Sequence, residues 1–97
     1  MGGMIEVLLA HEVWEDPDGA SFEFGLPHPS LDAFRQQHEP NARRLHVIFA
    51  PSYNAAMQAY YERQGWGEYQ PIEGVKDDVY TDAQRSEQQL LRPEHYR

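Results

Sequence analysis

The sequence predicts an α+β fold: a small, three-stranded, mostly antiparallel sheet with one main helix, a short helix and a C-terminal helix. An alternating apolar stretch leads into the turn sequence Asp16-Pro17-Asp18-Gly19 and a second alternating stretch follows, which is typical of a β-hairpin. A third apolar run ends at Pro51, and a helical stripe begins directly after Ser52. The two-residue period of β-strands and the 3.6-residue period of an α-helix therefore both occur in this chain.

The hairpin is predicted to consist of strands at residues 5–15 and 20–26. Phe22 and Phe24 share one face of the second strand. Pro17 presets the φ angle of the second turn position, and Gly19 can adopt the positive φ of a type I turn with a bulge. The first strand places its alternating apolar side chains on one face, with a histidine among them: Ile5, Val7, Leu9, His11 and Val13.

A short helix and a third strand follow the break at Pro27-His28-Pro29. We expect Ser30 to cap the short helix, in which Leu31 and Phe34 lie one turn apart. The third strand is predicted at residues 44–50. Its alternation predicts that three side chains face the core, namely Leu45, Val47 and Phe49.

The main helix is predicted at residues 53–64, with Ser52 as its N-cap and Gly65 as the left-handed residue at its C-terminal end. We assign residues 1–72 to a single compact domain and residues 73–97 to a C-terminal tail. Within the tail, Thr81-Asp82-Ala83-Gln84 is a capping-box pattern that predicts a helix at residues 82–91. This helix either docks weakly or stays disordered in solution.

The predicted core combines the apolar faces of these elements. It consists of Ile5, Val7, Leu9, Phe22, Phe24, Leu31, Phe34, Leu45, Val47, Phe49, Ala56, Met57 and Tyr60.

The composition restricts the class of protein. The chain has 97 residues, 16 acidic and 8 basic side chains, no cysteine and a net charge of -8. The length supports one domain, and the lack of cysteine excludes a disulfide scaffold and thiolate metal sites. Acidic character opposes direct nucleic-acid binding, because phosphate contacts need Lys and Arg. No apolar run approaches the ~18 residues of a membrane helix, so we predict a soluble, cytoplasmic protein without membrane contact.

The histidines offer the only candidate for a catalytic or metal site. His11 and His46 lie on neighbouring predicted strands, with Glu12 or Glu23 near, which suits a metal ion or a general base. The alternative is that His11 is a partly buried strand residue and His46 faces solvent or a partner. We expect no metal and no cofactor.

The stretch from Ser52 to Pro71 resembles small uncharacterised bacterial proteins. In those proteins a Ser-Tyr helix ends in Gly-Trp-Gly-x-Tyr-x-Pro, and the matching residues here are Ser52-Tyr53 and Gly65-Trp66-Gly67-Glu68-Tyr69-Gln70-Pro71. No function is known for that family, so the resemblance implies a fold neighbourhood and no mechanism.

The same stretch is similar to the last helix of acetyl-CoA-dependent N-acetyltransferases. The matching positions here are Asn54, Met57, Tyr61 and Gly65-Trp66, and the tyrosine can act as a general acid in that family. The family's pyrophosphate-binding Arg/Gln-x-x-Gly-x-Gly turn is absent from the sequence. Gly65-Trp66-Gly67 follows a helix instead of preceding one, so we disfavour acetyltransferase activity.

These observations favour a small non-enzymatic binding or regulatory protein. The alternative is a small enzyme or enzyme subunit whose site forms on oligomerisation. The candidate binding residues are Tyr61, Trp66 and Tyr69, because amphipathic rings are enriched in interfaces. We predict a homodimer or another protein as the partner, with Arg44 or Arg63 meeting the acidic hairpin of a second copy.

Overall fold

A three-stranded antiparallel sheet of order β2-β1-β3 forms the centre of the computed structural model, which describes residues 6–19 and 22–96. The predicted α+β fold is confirmed. The elements are β1 (Leu9–Glu15), β2 (Phe22–Gly25), α1 (Pro29–His38), β3 (Arg43–Ala50), α2 (Tyr53–Gln64), α3 (Asp82–Leu91) and a closing 3-10 turn (Pro93–Tyr96). Ile5 lies outside the described residues, as do Ala20 and Ser21 of the predicted second strand.

The hairpin turn has the predicted geometry. Gly19 adopts a φ of 69°, and its N–H donates to the carbonyl of Asp16 at 2.8 Å. The Asp16 carboxylate accepts from the N–H of Asp18 at 2.9 Å, which gives this acid a structural role in the turn.

The predicted cap of α1 is wrong by two residues. His28 is the N-cap, and its Nδ1 accepts from the N–H of Ser30 at 3.0 Å. Pro29 occupies the first helical position, where a missing N–H costs nothing. The helix therefore starts two residues earlier than predicted. It buries Arg35, whereas Leu31 and Phe34 are exposed. The assignment of these two apolar side chains to the core is wrong.

The predicted orientation of β3 is also wrong. Leu9 pairs with Ala50 and His11 with Ile48, so Ile48 and Ala50 share the face that α2 covers. The register shifts between Val13 and Trp14: their partners are His46 and Arg44, which leaves Leu45 as an extra, unpaired residue. Leu45 and Phe49 are exposed, contrary to their predicted place in the core.

The buried core lies between one face of the sheet and α2. It consists of Val13, Ile48, Ala50, Ala56 and Tyr60. Leu9 is buried as predicted, whereas Val7, Phe24, Val47 and Met57 are half-buried. Phe22 is exposed, so its assignment to the core is wrong.

The opposite face of the sheet is covered by α1, α3 and the 3-10 turn. Contact between α3 and the sheet is made by Gln88, whose side-chain amide bonds both the N–H and the carbonyl of Ala10. The division of the chain after residue 72 stays a prediction. What the structure adds is that the helix of the predicted tail contacts the central strand.

Helix α2 has the predicted bounds and caps. Ser52 Oγ accepts from the N–H of Ala55 at 3.2 Å, and Gly65 adopts a φ of 74° after the last turn. The N–H of Trp66 donates back to the carbonyl of Tyr61 at 3.0 Å, which is the bond of a Schellman motif.

Replacing Gly65 with Ala is expected to lower the free energy of unfolding by about 1 kcal/mol. A Cβ at this position meets no atom within 4 Å, so the cost comes from the positive φ alone. Gly65→Asn should lose less, because Asn tolerates the left-handed region better than Ala. Urea denaturation measures both; equal stability of Gly65→Ala and the parent contradicts this explanation.

Candidate functional site

A cluster of aromatic rings, of which some are exposed and some buried, lies at the C-terminal end of α2. We define the aromatic surface as Phe22, Tyr60, Tyr61, Trp66 and Tyr69. Neighbouring ring centroids are 5.9 Å apart for Phe22 and Tyr60, 5.6 Å for Tyr60 and Trp66, 5.3 Å for Trp66 and Tyr61, and 5.2 Å for Tyr61 and Tyr69. These contacts form one continuous chain of rings from the edge strand β2 to the segment after α2.

Local backbone geometry brings these rings together. The Schellman bond at Gly65 returns Trp66 toward Tyr61, and the N–H of Tyr69 donates to Oε1 of Gln58 at 2.8 Å. The three predicted binding residues therefore lie side by side, while their role in binding stays a prediction. Sequence analysis predicts Phe22 in the core and misses that it extends this surface. Tyr60 is buried in the core as predicted, and its ring contacts those of Phe22 and Trp66.

The aromatic surface is exposed to solvent in part, and acidic residues lie next to it in the sequence. Trp66 is 59% exposed and Phe22 is 55% exposed. Glu62 follows Tyr61 and Glu68 precedes Tyr69 in the sequence; both glutamates are exposed, and neither forms an ion pair with another described residue. Burial, and then the negative charge of Glu15, raise the pKa of the Tyr60 hydroxyl. The Tyr60 hydroxyl therefore keeps its proton at neutral pH.

A second cluster is buried on the opposite face of the sheet, around Glu12. The carboxylate of Glu12 accepts from Nε of Arg92 at 2.8 Å, Nε2 of His95 at 2.8 Å and Nη1 of Arg44 at 3.1 Å. Nε1 of Trp14 donates to its other oxygen at 3.0 Å. Both carboxylate oxygens are thus occupied by side chains of this chain.

The network continues through Arg35 to α1 and β2. Arg35 binds both carboxylate oxygens of Glu23, at 2.8 and 3.2 Å, and contacts Asp32 at 3.0 Å. Its guanidinium carbon lies 3.8 Å from the ring centroid of Trp14, a cation–π contact. Asp32 also binds Nη2 of Arg92 at 2.7 Å, which joins the two halves of the network.

These contacts explain the titration of the acids. Burial alone raises the pKa of Glu12, but hydrogen bonds from Arg92, His95 and Trp14 outweigh burial and lower the pKa to about 2. Asp32 shows the same balance, with burial opposed by Arg92 and Arg35, and its pKa is lowered. Both acids are ionised at neutral pH and serve to hold α1 and the C-terminal segment on the sheet.

A third polar group, His11, lies beneath α2. Its side chain is fully buried, and Nδ1 lies 3.1 Å from the carbonyl oxygens of Leu9 and Ile48, so this nitrogen carries the proton. Nε2 therefore accepts from the Tyr80 hydroxyl at 2.6 Å. Burial lowers the pKa of His11, and burial followed by the charge of Asp77 raises the pKa of Tyr80 to about 12.

His11 and His46 lie on neighbouring strands, as predicted, but they bond different partners. His11 bonds Tyr80 in the interior, whereas Nδ1 of His46 lies 3.1 Å from Nη1 of Arg63. Within residues 6–19 and 22–96, no three His, Asp or Glu side chains converge as a metal ion requires. His11 and Tyr80 form an internal hydrogen bond that ties the segment after α2 to the central strand.

No match to the chain was found among family models, curated proteins or solved structures. The resemblances drawn from the sequence therefore stay predictions. In the described part of the chain, every helix is too short or too polar to cross a lipid bilayer.

Proposed function

We propose that this chain is a non-enzymatic binding protein whose aromatic surface docks on a basic segment of a partner protein. The observation that carries the proposal is the continuous chain of rings from Phe22 to Tyr69, in which Phe22 and the central Trp66 are exposed. Trp and Tyr provide large contact areas with few torsions to immobilise, which is why they dominate the binding energy of interfaces.

The charge of the surroundings indicates the chemistry of the partner. Glu62 and Glu68 flank the rings, and the chain as a whole carries a net charge of -8. Arg and Lys side chains on a partner gain both from these carboxylates and from cation–π contact with the exposed indole. An acidic partner is repelled by the same groups.

A second copy of the chain is a weaker candidate for the partner. Two copies with a charge of -8 repel each other, and Arg44, which we predicted to meet the acidic hairpin of a second copy, binds Glu12 of its own chain. Arg63 is the other predicted contact, and it lies against His46.

An enzyme remains the alternative function, with less support. Of the residues predicted to support catalysis, Glu12 and His11 are buried and hydrogen-bonded within the chain. A cytoplasmic location and the absence of direct nucleic-acid binding stay predictions of the composition.

The proposal is tested with short labelled peptides of equal apolar content that are either basic or acidic. In fluorescence anisotropy, basic peptides should bind and acidic ones should not, and Trp66→Ala should weaken binding at least about tenfold. Phe34→Ala is the matched control, because Phe34 is an exposed ring on α1 outside the aromatic surface.

Two results overturn the proposal: equal binding of acidic and basic peptides, or equal losses in Trp66→Ala and Phe34→Ala. Light scattering on the same samples examines self-association. A dimer of the parent protein that becomes a monomer in Trp66→Ala replaces the basic partner with a second copy as the occupant of the surface.

A further inference from the structure

A cavity of about 380 Å³ lies between α3 and the loop that joins β2 to α1. One wall is a single face of α3, since Gln84, Glu87, Gln88 and Leu91 follow the i, i+3, i+4, i+7 spacing. The other wall is the loop Leu26-Pro27-His28-Pro29, and Leu9 of β1 also lines the cavity. This site is separate from the aromatic surface and shares no residue with it.

The cavity has the composition of a small-molecule site. Its apolar lining consists of Leu9, Leu26, Pro27, Pro29 and Leu91. Its volume falls in the range of about 300–1,000 Å³ that is typical of ligand pockets. Two prolines restrict the loop, and His28 is held as the N-cap of α1, so this wall is formed before a ligand arrives.

Glu87 is the acidic residue among those that line the cavity. Its side chain is exposed at the cavity and forms neither a hydrogen bond nor an ion pair with another described residue. The other acids around the sheet differ from it, because Glu12, Glu23 and Asp32 are bound to arginines. A carboxylate beside an apolar lining favours a ligand with one cationic end and an apolar body.

We propose that this cavity binds a small amphipathic amine. The ammonium group pairs with the Glu87 carboxylate, and the apolar body occupies the space between Leu26 and Leu91. Gln88 contributes shape alone, because its amide is committed to the backbone of Ala10.

Amide chemical shifts in NMR titrations at neutral pH provide the test. The probes are cyclohexylmethylamine, its neutral analogue cyclohexylmethanol and the anion cyclohexanecarboxylate. The amine should bind with a Kd on the order of 1 mM and shift the signals of Leu26, Gln84 and Leu91. The alcohol should bind about fivefold more weakly, which is the contribution of one partly exposed ion pair, and the anion more weakly still.

Glu87→Gln should reduce the affinity for the amine to that of the alcohol and leave the alcohol unchanged. Glu73→Gln is the matched control, since Glu73 is an exposed glutamate that does not line the cavity, and it should leave both affinities unchanged. The proposal is overturned if the amine does not bind or binds no better than the anion. It is also overturned if the amide shifts caused by the amine lie on the aromatic surface, or if both variants lose equal affinity for the amine.

Discussion

Replacing Glu12 with Gln is expected to lower the free energy of unfolding by about 3 kcal/mol at neutral pH. The glutamate side chain is buried, and it holds Arg92, His95 and Arg44 over one face of the sheet. Glutamine has nearly the same shape but no charge, so these cations lose their counter-ion while staying partly buried. Urea denaturation monitored by circular dichroism measures the loss.

Glu62→Gln is the control for removing a glutamate charge without a buried partner. It should change the free energy of unfolding by no more than about 0.5 kcal/mol. If Glu12→Gln and Glu62→Gln are equally stable, the charge network does not hold the C-terminal segment on the sheet.

The same network should make the protein sensitive to acid. The pKa of Glu12 in the folded chain is about 2, against an ordinary value of 4.5, and the pKa of Asp32 is also lowered. The folded state thus binds these protons less tightly than the unfolded state. Their stabilising contribution is complete above the ordinary pKa values and is lost as the pH falls from about 5 toward 2. Glu12→Gln should flatten this part of the stability curve, and an unchanged slope contradicts the assignment.

Elements with local signals could be predicted from the sequence with correct ends. The N-cap hydroxyl of Ser52 and the flexible backbone of Gly65 define α2, and the reciprocal bonds of Thr81 and Gln84 define the start of α3. Each signal acts within four residues of the end that it specifies. The hairpin turn at residues 16–19 belongs to the same class.

The orientation of β3 could not be predicted, because apolar side chains alternate on both of its faces. Leu45 is unpaired at the register shift, so the residues on either side of it do not continue one simple alternation. Apolar periodicity assigned Phe49 to the core, but the register with β1 places it on the face that holds Glu12. The alternation of β3 alone fits either face.

The candidate sites depend on contacts between distant parts of the chain. The spacing of Gln84, Glu87, Gln88 and Leu91 on one helix face is visible in the sequence, but the opposite wall at residues 26–29 is not. Glu12 and Arg92 are 80 residues apart, and no periodicity relates them. For the aromatic surface, by contrast, Tyr61, Trp66 and Tyr69 are close in sequence, and a helix-ending motif brings them together.

Replacing Gln88 with Ala is expected to lower the free energy of unfolding by about 3 kcal/mol. Pairing between β1 and β2 ends at Glu12 and Gly25, and at Ala10 the side-chain amide of Gln88 bonds the strand instead. The N–H of Ala10 donates to Oε1 of Gln88 at 2.8 Å, and Nε2 of Gln88 donates to the carbonyl of Ala10 at 2.9 Å. Truncation leaves two buried backbone groups without their partners.

Gln88→Met distinguishes the contribution of these hydrogen bonds from that of packing, because methionine fills a similar volume without an amide. This variant should lose nearly as much stability as Gln88→Ala. Gln89→Ala, at the exposed neighbouring position of α3, should stay within about 0.5 kcal/mol of the parent. Hydrogen exchange should show lower protection of α3 than of Val47 and Ile48 in both Gln88 variants. If Gln88→Met is as stable as the parent, the loss in Gln88→Ala comes from packing, which contradicts the role of the amide. If the protection of α3 is unchanged in both variants, the attachment of α3 to β1 does not depend on Gln88.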